Sequence, residues 1–185
     1  MEMDADDIFV NYLSCKYKGY LTLQGEKGEL SEYGLLQTRL RQDYKNAATS
    51  TIICNNQKSL IPRNSPLTIA DLKQGAPFIV NVAIEHKSVM CRLDALKRVD
   101  GQSLLASFYY APVAFSESDI VGKHIERLLT LGSLLLSHVQ KTHSNIGIVV
   151  SGPEHKSKIL HLGKYGKGSR QIVTPTYISR HTQIS

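Results

Sequence analysis

Met90-Cys91-Arg92-Leu93-Asp94-Ala95-Leu96-Lys97-Arg98-Val99, followed by Phe108-Tyr109-Tyr110-Ala111-Pro112-Val113, is the stretch whose reading decides the fold. The first piece alternates as a strand does. Val89, Cys91, Leu93 and Ala95 share one face; Met90, Arg92, Asp94, Leu96 and Arg98 share the other. Asp100-Gly101 is a hairpin signal that leads into a further strand through Leu104 to Phe115. Upstream, Phe78, Val80, Val82 and Ile84 alternate in an earlier strand that turns at Glu85-His86-Lys87-Ser88. Three strands therefore meander through the middle of the chain.

Outward from this centre the pattern is helical. Ile8, Phe9, Tyr12, Leu13, Tyr17, Tyr20 and Leu21 fall on one helix face within residues 6–23, with Asp6 or Asp7 placed to cap it. A turn at residues 24–28 precedes a second helix from Ser31-Glu32, with Leu36, Leu40, Tyr44 and Ala47 on a stripe. Arg39, Arg41 and Lys45 lie outside that stripe. Residues 55–66 read as a loop, and a short helix follows from Thr68 to Gln74. A long helix is expected from about Ser118 to Lys141, burying Val121, Ile125, Leu128, Gly132, Leu135 and Val139. Ile146-Gly147-Ile148-Val149-Val150 is an apolar strand of the sheet-centre type, and Lys158 to Leu162 is a candidate for one more. The order predicts an α/β fold, a sheet with helices on both faces. One domain over residues 1–163 and a basic tail over 164–185 are expected.

The chain has 185 residues, enough for a single sizeable core, and no apolar run that would cross a bilayer. The acidic start (Glu2, Asp4, Asp6, Asp7) lacks the basic region of a secretory signal, so the cytoplasm is the expected compartment. Three widely spaced cysteines, Cys15, Cys54 and Cys91, make no disulfide framework and no CxxC pair. The formal net charge of +6 fits a nucleic-acid partner without requiring one. After Pro153, six lysines and arginines stand against Glu154 alone. That tail reads either as phosphate-contacting or as a solvated end.

Asp94 is the residue to explain, because aspartate is disfavoured inside a strand. An ion pair with Arg92 or Arg98, or a metal, are the two explanations open at this point. Asn11-Tyr12-Leu13-Ser14-Cys15-Lys16-Tyr17-Lys18-Gly19-Tyr20-Leu21 resembles the opening of RecB-like nucleases of the PD-(D/E)XK superfamily. So do the strand aspartate, the tyrosine-bearing strand, and the long helix with Gln140 before Ile-Gly-Ile-Val-Val. The resemblance covers most of residues 8–162 and rests on order and spacing. It implies a restriction-endonuclease-like mixed sheet flanked by helices, and Mg²⁺- or Mn²⁺-dependent hydrolysis of DNA in active members.

Carried over residue by residue, the resemblance makes Asp94 the strand carboxylate, Glu32 the early helical acid, and Gln140 the glutamine of the following helix. The acid-x-lysine of the next strand should fall near Ala114-Phe115-Ser116, where neither group is present. Glu117 and Lys123 are the nearby substitutes; Lys123 reads equally as a solvated helix lysine. The metal set is then Asp94, Glu32 and Glu117, with Lys123 and Gln140 completing the catalytic group. Arg39, Arg41, Lys164, Lys167 and Arg170 are the candidate DNA contacts. Relatives with an iron–sulphur cluster use one early and three late cysteines; nothing follows Cys91, so no complete cluster site exists within these residues. Either the cluster is absent or the chain is part of something longer. The expected partners are DNA and a helicase or another DNA-processing protein, with no membrane. The alternative to hydrolysis is an inactive nuclease-fold module that binds nucleic acid or a protein.

Overall fold

A computed structural model of the chain describes residues 11, 15–26, 28–29, 31–55, 67–86 and 89–162. The expected start of the first helix, the loop over 56–66 and the basic tail, including Lys164, Lys167 and Arg170, lie outside the described residues. Among the described residues, helices α1 (Lys16–Leu23), α2 (Glu32–Asn55), α3 (Ile69–Lys73) and α4 (Lys123–Gln140) accompany five strands. These are β1 (Phe78–His86), β2 (Val89–Asp100), β3 (Phe108–Ser116), β4 (Ile146–Ser151) and β5 (Lys156–His161).

The strands form one mixed sheet in the order β1-β2-β3-β4-β5. Neighbours are antiparallel except β3 and β4, which run parallel with α4 as the connection between them. A parallel pair needs such a crossover, whereas the antiparallel pairs need only turns. The connection from Asp100-Gly101 runs through residues 101–107, so β3 begins at Phe108 and not at Leu104. The β1–β2 turn lies partly outside the described residues, with Glu85 and His86 still in β1, and the fifth strand is present. The sheet is sandwiched: α4 supplies Leu131, Leu135 and Leu136 to a core with Ile79, Ile84, Leu93 and Leu96. On the other face α2 supplies Ala48 and Ile52 to a core with Val80, Ala95, Val113, Ile148 and Val150.

Two expectations about faces are corrected. The stripe of α2 is Tyr44, Ala48 and Ile52, while Leu36 and Leu40 are exposed, because only the C-terminal half of this 24-residue helix lies over the sheet. Strand β1 does not keep one alternation from end to end. Phe78 and Val80 pack toward α2, yet Val82 and Ile84 pack toward α4. The switch falls at Asn81, whose φ of 54° is left-handed in the middle of a strand. Asp94, opposite it, marks the same change on β2: Cys91 and Leu93 face α4, and Ala95 faces α2. A single left-handed residue rotates everything after it, which is how a strand shows its side chains to both layers in turn.

Candidate functional site

The β2–β3 ladder runs from Asp100↔Phe108 to Ala95↔Val113 and goes no further. From there β3 continues through Ala114, Phe115 and Ser116 on β4 alone, while β2 continues from Leu93 to Val89 on β1 alone. The two strands part, and the opening between them is a wedge. Asp94 sits at its apex. Its Oδ2 accepts a hydrogen bond from the Phe115 backbone N–H at 2.7 Å, taking up a donor that β2 no longer meets. Its Oδ1 lies 2.6 Å from the Lys45 Nζ, an ion pair that reaches down from α2. The carboxylate side chain is 13% exposed and the lysine 36%, so the pair is only partly shielded from water.

Above this pair a cleft of about 820 Å³ runs beneath α2. Its walls include Gln42, Lys45 and Asn46 from α2, Asn81 from β1, Arg92 and Asp94 from β2, and Phe115 from β3. The Gln42 amide donates to Asn46 Oδ1 at 3.0 Å. Asn81 is exposed, and its carboxamide has no hydrogen bond to another described residue.

Asp94 is paired with Lys45 of α2, and Arg98 of its own strand face is engaged elsewhere. Arg98 turns to the far end, where its guanidinium donates to the Gly75 carbonyl at 2.6 Å and lies over the Phe108 ring. Glu32 opens α2 and is exposed, thirteen residues before Lys45, about 20 Å along the axis at 1.5 Å per residue. The structure therefore does not bring Glu32 to Asp94. Glu117 is exposed in the β3–α4 loop, and Lys123 is exposed at the first position of α4. In that loop it is Asp119 that is engaged, accepting from the Ser151 hydroxyl at 3.1 Å and pairing with Lys158 at 3.5 Å.

Gln140 is fully buried, and its amide is spent on the backbone. Its Oε1 accepts from the Tyr110 N–H at 2.9 Å, and its Nε2 donates to the Tyr110 carbonyl at 3.1 Å. The two positions matched to the acid-x-lysine pattern have core surroundings. Ala114 packs with Ile125 and Leu129 of α4, and the Ser116 hydroxyl donates to the Ser118 carbonyl at 2.8 Å. A carboxylate at position 114 would be stripped of water among aliphatic side chains, a cost of several kcal/mol.

Arg39 and Arg41 are both exposed on α2. Arg41 lies near the start of α4: burial first, and then the Arg41 charge, hold His124 below its ordinary pKa. Cys15, exposed before α1, has its thiol lowered by backbone hydrogen bonding at Lys18 and then Tyr17. Cys54 is exposed and Cys91 buried, on different elements from Cys15. Among the described residues no three His, Cys, Asp or Glu side chains gather as a metal-holding group. Among the same residues no helix is long and apolar enough to cross a membrane.

Lys45, Asn81 and Gln42 were not singled out from the sequence. Asn81 had a signal: one carboxamide inside Phe-Ile-Val-Asn-Val-Ala-Ile interrupts an otherwise apolar run. Lys45 follows Tyr44 directly, and it comes beside the packed face once the stripe is read as Tyr44, Ala48 and Ile52. No protein-family model matches the chain, and no curated protein matches it.

Proposed function

We propose that the chain is a DNA-associated module of RecB-like, restriction-endonuclease type in which an internal ion pair stands where a metal would, so that it binds DNA without hydrolysing it. The carrying observation is Asp94: one oxygen is on the Lys45 ammonium and the other on the Phe115 N–H. A hard cation such as Mg²⁺ or Mn²⁺ is held by several oxygen ligands, carboxylates foremost. Here one carboxylate faces the wedge with both oxygens engaged, Glu32 is a helix-length away, and Ala114 occupies a core position. The donor set does not fit the cation, and Lys45 already supplies positive charge to Asp94.

Support for the nuclease-type frame comes from element order: helices, three antiparallel strands, a long helix, then a strand parallel to the third. This is the order on which the sequence resemblance rests, and Asp94 sits where two of those strands diverge. Support for DNA comes from the net charge of +6 and from Arg39 and Arg41, exposed on the helix that roofs the cleft. Cationic side chains that meet phosphates release counterions, so the affinity is expected to fall steeply with salt.

The test is binding and cleavage of labelled single- and double-stranded DNA, with and without Mn²⁺, by the native chain and by Asp94→Ala. Salt-sensitive binding with intact DNA in every lane is the expected result, and R39E/R41E should weaken the binding. Mn²⁺-dependent cleavage that disappears in Asp94→Ala would overturn the reading and would make Lys45 the lysine of an active site. Absence of binding at low salt would dispose of the DNA assignment altogether.

A further inference from the structure

The cleft beside the ion pair is lined by three charged residues, Lys45, Asp94 and Arg92, and otherwise by neutral ones. Its two deepest charges, Lys45 and Asp94, neutralise one another at 2.6 Å. What remains along its walls is largely neutral and directional: the carboxamides of Gln42, Asn46 and Asn81, beside the hydroxyls of Thr49 and Ser50. Phosphates are drawn by uncompensated cations, whereas a base edge presents adjacent donors and acceptors that one carboxamide can meet with two hydrogen bonds. The volume of about 820 Å³ is in the range of small-molecule sites, and Met90 and Phe115 give the flat base an apolar wall.

Asn81 is placed for this role at a cost to the backbone. Its φ of 54° is a conformation that few residues other than glycine adopt, asparagine among the least penalised. Strain of that kind persists where the surrounding structure holds it, and such positions cluster at binding sites. Here the turn of the backbone takes the side chain out of the strand's alternation and sets it on the cleft wall. Gln42 and Asn46 are already bonded to each other, but the Asn81 carboxamide has no partner among the described residues.

We infer that the cleft takes an unpaired nucleobase of single-stranded DNA, with Asn81 as the residue that reads the base edge. This rests on the DNA-binding reading above and adds to it: arginines outside the cleft hold the backbone, and the cleft holds a base. The experiment compares two single-stranded oligonucleotides of equal length and charge, one with all its bases and one abasic throughout its centre, by fluorescence anisotropy. The native chain is expected to bind the base-bearing strand about tenfold more tightly, the size of one good bidentate base contact. Asn81→Gly, which accepts the same backbone angle, should bring the base-bearing strand close to the abasic one. Its urea midpoint, at or above that of the native chain, separates loss of a contact from loss of the fold. Equal native affinity for the two strands would overturn the base pocket while leaving DNA binding in place. A preference that survives Asn81→Gly would remove Asn81 from it. No affinity for either strand would take both readings down together.

Discussion

The two ends of β3 solve one problem with opposite chemistry. At one end β4 has not yet begun, and the Gln140 carboxamide bonds both backbone groups of Tyr110 as a neighbouring strand residue would. At the other end β2 has turned away, and the Asp94 carboxylate takes the Phe115 N–H. Gln140 is neutral and wholly buried; Asp94 is charged, partly open to water, and tied to Lys45. A neutral amide suffices where the aim is a closed core. A charge pair beside a cleft costs more to hold, and its persistence there is what separates a site from a seam. The Gln140 amide is spent on the backbone of β3, and the Asp94 carboxylate is the charged group beside the wedge.

The widest gap between the two ends should appear on truncation. Gln140→Ala strands a buried N–H and a buried carbonyl, each costing about 1–3 kcal/mol, and leaves a void beside Tyr110. We expect a loss on the order of 3–5 kcal/mol in urea unfolding, insensitive to salt. Gln140→Glu should not rescue it, because a carboxylate cannot donate to the Tyr110 carbonyl and would be buried without a counter-ion. A loss under about 1 kcal/mol would mean that the closed end does not depend on the amide.

The open end should respond more weakly and through charge. Asp94→Ala removes the acceptor for the Phe115 N–H and the partner of Lys45 together, and should cost about 2 kcal/mol. Asp94→Asn keeps an acceptor and should cost less. Lys45→Met, which keeps the aliphatic stem, should cost about 1 kcal/mol. In a double-mutant cycle the Lys45–Asp94 coupling should be roughly 1 kcal/mol at low salt and shrink in molar salt, because the pair is partly solvated. Coupling that stays constant with salt would place this pair in the same class as Gln140 and erase the contrast.

How much of this was legible in the sequence follows the range of each signal. The strand, hairpin and long-helix signals are local, and those elements are present, but the third strand begins at Phe108 rather than Leu104, the helix at Lys123 rather than Ser118, and the alternation of β1 and β2 breaks midway. The place of Asp94 on β2, and the lack of an acid and a lysine opposite it on β3, were legible for the same reason. Its partner was not. Arg92 and Arg98 were the obvious candidates because two residues on one strand face are neighbours in sequence; Lys45 is separated from Asp94 by 49 positions and meets it only through packing of α2 on the sheet. The Asn81 switch was hidden differently. Alternation of Phe78, Val80, Val82 and Ile84 looks unbroken on paper, and only a backbone angle reveals that its two halves face opposite layers. Local periodicity gives elements, while the site is made where elements part.

A finer measurement separates the two ends by pH. The Tyr110 hydroxyl donates to the Ala76 carbonyl at 2.8 Å inside the α4-side core. Burial, opposed in part by the Arg98 charge, pushes its pKa up to about 12 from 10.0. In the unfolded chain the phenol ionises near the ordinary value, so the native state binds the proton more tightly. Stability from this group is then complete below about pH 10 and is lost as pH rises toward 12. Tyr110→Phe should cost about 1 kcal/mol at neutral pH, since Ala76 loses its donor. The difference from the native chain should narrow across that alkaline window, because the phenylalanine variant has no proton to lose there. The Lys45–Asp94 variants should show no Tyr110-dependent narrowing of this kind. If Tyr110→Phe keeps a constant difference to pH 12, the phenol is not held neutral by the fold, and the closed end is less dry than its geometry implies.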